Sequence, residues 1–268
     1  MPYRAINFGN PMFFDAIKKY ALILCLLFPI ISQANHSKQY YTVDGYSMYV
    51  DIEGKGKPAV IFEAGLGWDS PTWKDVAPEV AQFTQSVVYD RIGLGKSSLL
   101  KQKEPVTAKQ VVSRLKKLLS AANIAPPYIL VGQSIGGLYM QLFAREYPKD
   151  VKGLILIDSV GQNDPFQDSL PDSSAPYFLE AKGVSISKEQ IREAGPFPNI
   201  PVIILAAGIH KWATEKEQRQ LLFEQKKLLA LSPHSELIIV KNSGHYIQNE
   251  QPEVVIQAIH SIWIKVKP

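Results

Sequence analysis

Cysteine is almost missing from this chain. Of its 268 residues only Cys25 is one, and it lies inside an apolar N-terminal run. That excludes a disulfide framework and a thiol active site. A strong charge of either sign is missing too. The formal net charge is +4 and the Lys and Arg residues are scattered, which excludes the clustered basic face that nucleic acid requires. No His/Cys/Asp set has metal-ligand spacing, and there is no internal repeat or low-complexity tract. No apolar run reaches the roughly 20 residues of a bilayer-spanning helix. Finally, no aspartate follows Asp172, which narrows the choice of catalytic acid below.

The N-terminus reads as a leader. Lys18-Lys19 precede the apolar run Tyr20 to Ile31 and then Ser32-Gln33-Ala34. A basic region, a short apolar region and a small-x-small end make a secretory signal peptide, cleaved near Ala34. The competing reading is an uncleaved anchor. The basic region is long from Met1, and a start at Met12 gives it conventional proportions. Leu22-Ile23-Leu24 lacks the small residue expected before a lipidated cysteine. The expectation is therefore an exported protein, periplasmic or secreted, with its domain at 35–268 and no stable membrane anchor after cleavage. Lacking disulfides, it must be stabilised by its core.

The domain alternates apolar runs with amphipathic stretches. Gln39 to Val43 and Tyr46 to Ile52 flank Asp44-Gly45, a hairpin turn signal. Strands follow at 58–62, 86–89, 128–131, 151–157, 201–206 and 236–240. Helices are expected at 73–83, from Thr107, after Ser134, from the capping box Thr214-x-x-Glu217 to about Leu231, and from Pro252. Val255, Ile259 and Ile262 form the apolar face of the last one. Wholly apolar strands between such helices mean a parallel sheet covered on both sides. Residues 160–200 break this rhythm with five prolines and several apolar residues, Phe166, Leu170, Tyr177, Phe178, Leu179 and Phe197 among them. We expect a small lid there, with a short helix capped at Ser187-x-x-Gln190; a linker is the alternative.

Gly132-Gln133-Ser134-Ile135-Gly136 joins a strand to a helix, with a second glycine, Gly137, where the helix must pack closely. A serine on such a sharp turn is a candidate nucleophile. It needs a base, and His245, late in the chain after the last strand, is the candidate; His210 is the rival. The imidazole in turn needs a carboxylate. Residues 207–213 (AGIHKWA) hold none, and Glu217 is committed to its capping box. Asp158, a charge ending an apolar run, is the candidate acid, with Glu215 as the alternative. An oxyanion hole requires two backbone N–H groups, for which Ile135 and Leu66 of Gly65-Leu66-Gly67 are placed; an ordinary tight turn at 65–67 is the competing reading. Gly93-Leu94-Gly95-Lys96-Ser97 imitates a phosphate loop, but the required first glycine is Asp90.

FEAGLG, YDRIGLGKS, GQSIGG, LILIDS and SGHYI, in this order, resemble the α/β-hydrolase superfamily, in its serine-nucleophile esterase and peptidase-like branch with a small lid. The resemblance spans residues 40–268. It implies a mostly parallel eight-stranded sheet, no cofactor, no metal, and hydrolysis of a small ester or amide through an acyl-enzyme. Serine stands where dehalogenases and epoxide hydrolases of this fold carry aspartate. Ala64-Gly65 replaces the usual His-Gly, and the triad resembles members whose acid lies one strand early. A carboxylesterase for small to medium hydrophobic esters is the first expectation. An aminopeptidase or amidase, with Glu63 binding a substrate amine, and a non-catalytic binding protein are the alternatives.

Overall fold

The structure, a computed structural model, describes residues 36–163 and 170–268. The leader, Met12, Cys25 and Phe166 lie outside the described residues. Among the described residues no helix is long and apolar enough to cross a membrane.

Eight strands form one sheet: β1 (Ser37–Val43), β2 (Tyr46–Glu53), β3 (Ala59–Glu63), β4 (Ser86–Tyr89), β5 (Tyr128–Gln133), β6 (Val151–Ile157), β7 (Val202–Ala207) and β8 (Ser235–Val240). Their order across the sheet is β1-β2-β4-β3-β5-β6-β7-β8. The β1–β2 and β2–β4 pairs are antiparallel, and every pair from β4 through β3 to β8 is parallel. The helices are α1 (Ala77–Ala81), α2 (Ala108–Ala121), α3 (Ile135–Glu146), α4 (Phe178–Arg192), α5 (Glu215–Lys227), α6 (Ile247–Glu250) and α7 (Pro252–Val266). Successive side chains of a strand point to opposite faces. Ala59 and Ile61 accordingly join one buried cluster with Leu115, Leu119, Leu138 and Phe143, while Val60 and Phe62 join the other with Trp73, Val255, Ile259 and Ile262. Burial of each such large side chain contributes about 1.5–3 kcal/mol, and two clusters sandwiching the sheet are what its continuous apolar strands require.

Three expected helices differ in the structure. The stretch 73–83 is split into a 3-10 turn, Ser70–Trp73, and α1. Pro78 has no N–H for a helix passing through it and is tolerated only in a first turn, which is where α1 places it. The helix from Thr214 stops at Lys227 and tightens to a 3-10 turn over Leu228–Leu231. Ser187 is not an N-cap. It lies fully buried inside α4, where its Oγ donates to the Gly183 carbonyl (2.8 Å) and accepts the Ala108 N–H (2.9 Å) at the start of α2. The neighbouring orphan donor, Lys109 N–H, goes to Gln190 Oε1 (2.9 Å), and Val106 N–H goes to the Leu179 carbonyl (2.9 Å). Three acceptors of α4 thus take N–H groups around the start of α2, beside the Thr107–Gln110 capping box that the helix supplies itself.

The β5–α3 turn depends on missing side chains. A Cβ on Gly132 would sit 2.6 Å from the Gly136 carbonyl oxygen and from Gly137 Cα and N, and one on Gly136 would sit 2.5 Å from the Glu63 and Ala64 carbonyls. These are backbone atoms, so no rotamer change relieves the overlap. Gly132→Ala should therefore cost about 1–3 kcal/mol or more, read as a drop in the denaturant midpoint at unchanged m-value.

Candidate active site

Four neighbouring parallel strands deliver the site. Ser134 follows β5, Asp158 follows β6, His210 lies beyond β7 and His245 lies beyond β8. All four stand outside the carboxyl ends of the strands, where open α/β sheets bind their ligands.

Ser134 sits at φ 55°, ψ −123°, outside the regions a side chain favours. Backbone bonds hold it there: its N–H donates to the Ile157 carbonyl (3.0 Å), and its own carbonyl accepts from Gly137 (3.1 Å) and Val160 (3.1 Å). Asp158 is likewise forced into a positive φ of 40°. Two positively twisted non-glycine residues side by side at strand ends mark stored backbone strain of the kind found at functional sites.

The structure brings Asp158 and His245 together. His245 Nδ1 lies 2.7 Å from Asp158 Oδ2. The other oxygen, Oδ1, accepts the Ala207 N–H at 3.0 Å. Burial would raise this carboxyl, but hydrogen bonds from His210 and His245 and their charge overcome it and hold the group down at about 2. His245 is kept in place from both sides. Its carbonyl accepts from Gln133 Nε2 (3.3 Å), the neighbour of the serine, and the Gly244 N–H before it binds Glu250 Oε2 (2.8 Å).

His210, weighed from sequence as a rival base, has a different position. Its Nε2 lies 2.9 Å from the same Asp158 Oδ2 that His245 contacts. The loop where many proteins of this fold carry the acid holds a histidine instead, and that histidine reaches back to an acid one strand earlier. Asp158, His210 and His245 offer ligand-type atoms within 4.8 Å of one another, as do exposed His36 and half-buried Asp51 and Glu53. In the first group one carboxylate oxygen lies against both imidazoles, and the other nitrogen of His210 faces Gln218 Oε1 at 3.0 Å. That pattern is a hydrogen-bonded cluster rather than an open coordination shell.

Glu215 does not stand near this cluster. Its side chain is 94% exposed in the first turn of α5 and its carboxylate faces Arg219 at 3.4 Å. A carboxylate there favours the positive end of the helix. Glu63 is also not free to bind an amine. It is buried, accepts from Tyr89 Oη, and pairs with Arg91 Nη1 at 2.6 Å.

Arg91 was not singled out from sequence, yet it organises the loop after β3. Its Nη1 donates to the Ala64 carbonyl (2.9 Å) and its Nη2 to the Gly65 carbonyl (2.7 Å), while Nε pairs with Glu180 Oε1 of α4 at 2.8 Å. Tyr139 Oη donates to the same Glu180 oxygen at 3.0 Å. This guanidinium fixes the orientation of the peptide groups leading into Leu66. Gly65 packs against Ser134 and Gln133, and Ile135 is the first residue of α3, whose N–H has no intrahelical acceptor. Leu66 and Ile135 therefore flank the serine from two loops. Trp68 and Tyr246, with ring centroids 5.0 Å apart, and Tyr177, lying over Gly67, make an apolar rim beside them.

A mostly parallel eight-stranded sheet with a serine elbow and a carboxylate–imidazole pair at its carboxyl edge defines a class, and the chain belongs to the α/β-hydrolase superfamily. Residues 58–185 match the family model described as the alpha/beta hydrolase fold. The chain is 32% identical over 234 residues to the uncharacterized protein YqjL of Bacillus subtilis (strain 168), covering 83% of this chain and 90% of that protein. It spans 36–38% of the length of longer uncharacterized relatives from Bacillus and Mycobacterium. Among solved structures it is similar to a thermophilic esterase from Thermogutta terrifontis, at TM-score 0.64 and 20% identity over 87% of this chain and 100% of that one. It is also similar to the epoxide hydrolase VrEH1 from Vigna radiata, at TM-score 0.71 and 12% identity over 88% and 99%. At those identities the structures speak for the fold.

Proposed function

We propose that this protein is a serine hydrolase that works through an acyl-enzyme, and that its substrates are small to medium hydrophobic carboxylic esters. The observation that carries this reading is the contact between His245 Nδ1 and Asp158 beside a serine held at the elbow. With Nδ1 bound to the carboxylate, the lone pair of the neutral imidazole is on Nε2, the tautomer a general base needs. His245 then takes the proton of Ser134 as Oγ attacks the ester carbonyl. The Leu66 and Ile135 N–H groups hold the oxyanion, His245 returns the proton to the leaving alcohol, and water deacylates the serine by the same route in reverse.

Serine at the elbow favours acyl transfer over the epoxide hydrolase chemistry named for one structural neighbour, and the esterase neighbour has the same fold. The apolar rim of Trp68, Tyr177 and Tyr246 suits a hydrophobic acyl or alcohol group. An amine-directed peptidase is disfavoured because Glu63, its candidate amine ligand, is consumed by Arg91 and Tyr89. The leader supports export, with the mature chain starting near Asn35.

The test is labelling with an alkyl fluorophosphonate. The wild-type protein should gain one adduct at Ser134 and the Ser134→Ala variant none. A folded wild type that takes up no label over hours would remove the serine-hydrolase reading and leave the binding-protein alternative.

A further inference from the structure

We infer that His210 is a buried imidazolium, protonated on both nitrogens through neutral pH, and a positioning residue that holds the base in place through Asp158. The catalytic half of this inference rests on the serine-hydrolase reading; the protonation state does not. The argument is one of hydrogen-bond bookkeeping. Gln218 of α5 meets the His210 loop with a fixed amide. Its Oε1 accepts the His210 backbone N–H at 2.8 Å, and its Nε2 donates to the Ala207 carbonyl at 3.2 Å. Turning the amide over would set an NH2 against an N–H and an oxygen against an oxygen, so both partners forbid it. That same Oε1 lies 3.0 Å from His210 Nδ1. A carbonyl oxygen only accepts, so Nδ1 must carry a proton. On the other edge of the ring, Nε2 faces Asp158 Oδ2 at 2.9 Å.

A neutral ring would then require the Asp158–His210 proton to reside on the carboxyl. The carboxyl group is a stronger acid than imidazolium by more than two pH units in water, and here its ionised form also accepts from His245 Nδ1 and the Ala207 N–H. Those bonds favour its ionised form further. Burial of His210 opposes its charge, but the hydrogen bond and charge of Asp158 and the Gln218 amide outweigh burial and raise its proton affinity. The other groups facing it are His245, with ring centroids 6.2 Å apart, and Trp212, edge-on at 5.5 Å.

The consequence falls on His245. Two imidazoles share one carboxylate oxygen, Oδ2 of Asp158, at 2.9 Å from His210 Nε2 and 2.7 Å from His245 Nδ1. A donor fixed on that oxygen from the His210 side sets where the carboxylate stands, and so where the His245 ring is held. Removing the His210 donor frees the carboxylate to turn, and the loss falls on kcat more than on KM. In the folded protein His210 holds its proton above the usual imidazole value of about 6.5, so its contribution to stability is complete below that value and is lost as pH rises through the raised one.

Two measurements test this. In Ser134→Ala protein labelled with nitrogen-15, both His210 ring nitrogens should resonate as N–H near neutral pH and lose that character only above the usual imidazole value. One unprotonated nitrogen near neutral pH overturns the inference, whatever the protein hydrolyses. In His210→Ala, checked for folding by circular dichroism, kcat for ester turnover should fall about tenfold with KM within about twofold, and His210→Gln, which keeps a neutral donor, should recover part of the loss. A folded His210→Ala that turns over at the wild-type kcat overturns the positioning role. Failure of labelling at every pH in wild type strikes the hydrolase reading instead, and leaves the nitrogen resonances to decide the charge.

Discussion

Asp158→Asn should lower ester turnover by about four orders of magnitude, with the fold retained. An amide of the same size fills the space but has one acceptor where the carboxylate has two, so either its NH2 meets the Ala207 N–H or it meets the two imidazoles, and it carries no charge to stabilise the His245 cation formed in each half-reaction. The His245 ring then loses both its tautomer and its orientation. Most of the effect should fall on kcat, because the interaction lost strengthens only as charge develops. Glu215→Gln is the matched control. Its side chain is 94% exposed on α5, and turnover should stay within about twofold of wild type. If Glu215→Gln alone crippled turnover, the acid would be misassigned.

The second large effect concerns stability. Arg91→Met should destabilise the domain by about 3–5 kcal/mol. The side chains of Arg91, Glu63 and Glu180 are 6%, 1% and 6% exposed. Removing the cation strands two buried carboxylates together with the carbonyls of Ala64 and Gly65. Burial already pushes the Glu63 carboxyl up, and only Arg91 and the Tyr89 hydroxyl oppose this. Chemical denaturation of Arg91→Met against wild type measures the loss. A double variant, Arg91→Met with Glu180→Met, should recover part of it, because an apolar replacement of the pair is far less costly than half of it. A loss below about 1 kcal/mol in the single variant would mean that solvent reaches this network.

How much of this was legible in the sequence depended on whether the signal was local. The hairpin at Asp44-Gly45, the parallel strands, the capping box at Thr214 and the elbow itself each declare themselves within a few residues, and the structure has all four. Asp158 was readable because a charge closed an apolar run. The same logic applied to Glu63, which closes the run of β3, but it could not name the partner. Arg91 comes from the next strand and Glu180 from an insertion 89 residues further on, and nothing in the intervening chain links them. His210 shows the limit more sharply. Asking which single histidine serves Ser134 left no place for two histidines converging on one oxygen, since that depends on the neighbouring order of β6, β7 and β8. Gln218, whose amide fixes the proton on His210, looks like any exposed helix residue until the ring beside it is seen.

The hydrogen bonds between α4 and the start of α2 have a practical bearing on how this family diversifies. The segment around 160–200 looks in sequence like a cassette, inserted between two strands and open to exchange for another. Physically it is not separable. Ser187, Gln190 and the Leu179 carbonyl accept N–H groups around the start of α2, and Glu180 supplies a counter-ion to the arginine that holds the loop after β3. A graft that replaced this segment would also take acceptors away from N–H groups at the start of a scaffold helix and unbalance a buried charge. On the proposed serine-hydrolase reading, changes at the rim residues Trp68, Tyr177 and Tyr246 would leave both of these contacts in place, as wholesale replacement of the insertion would not.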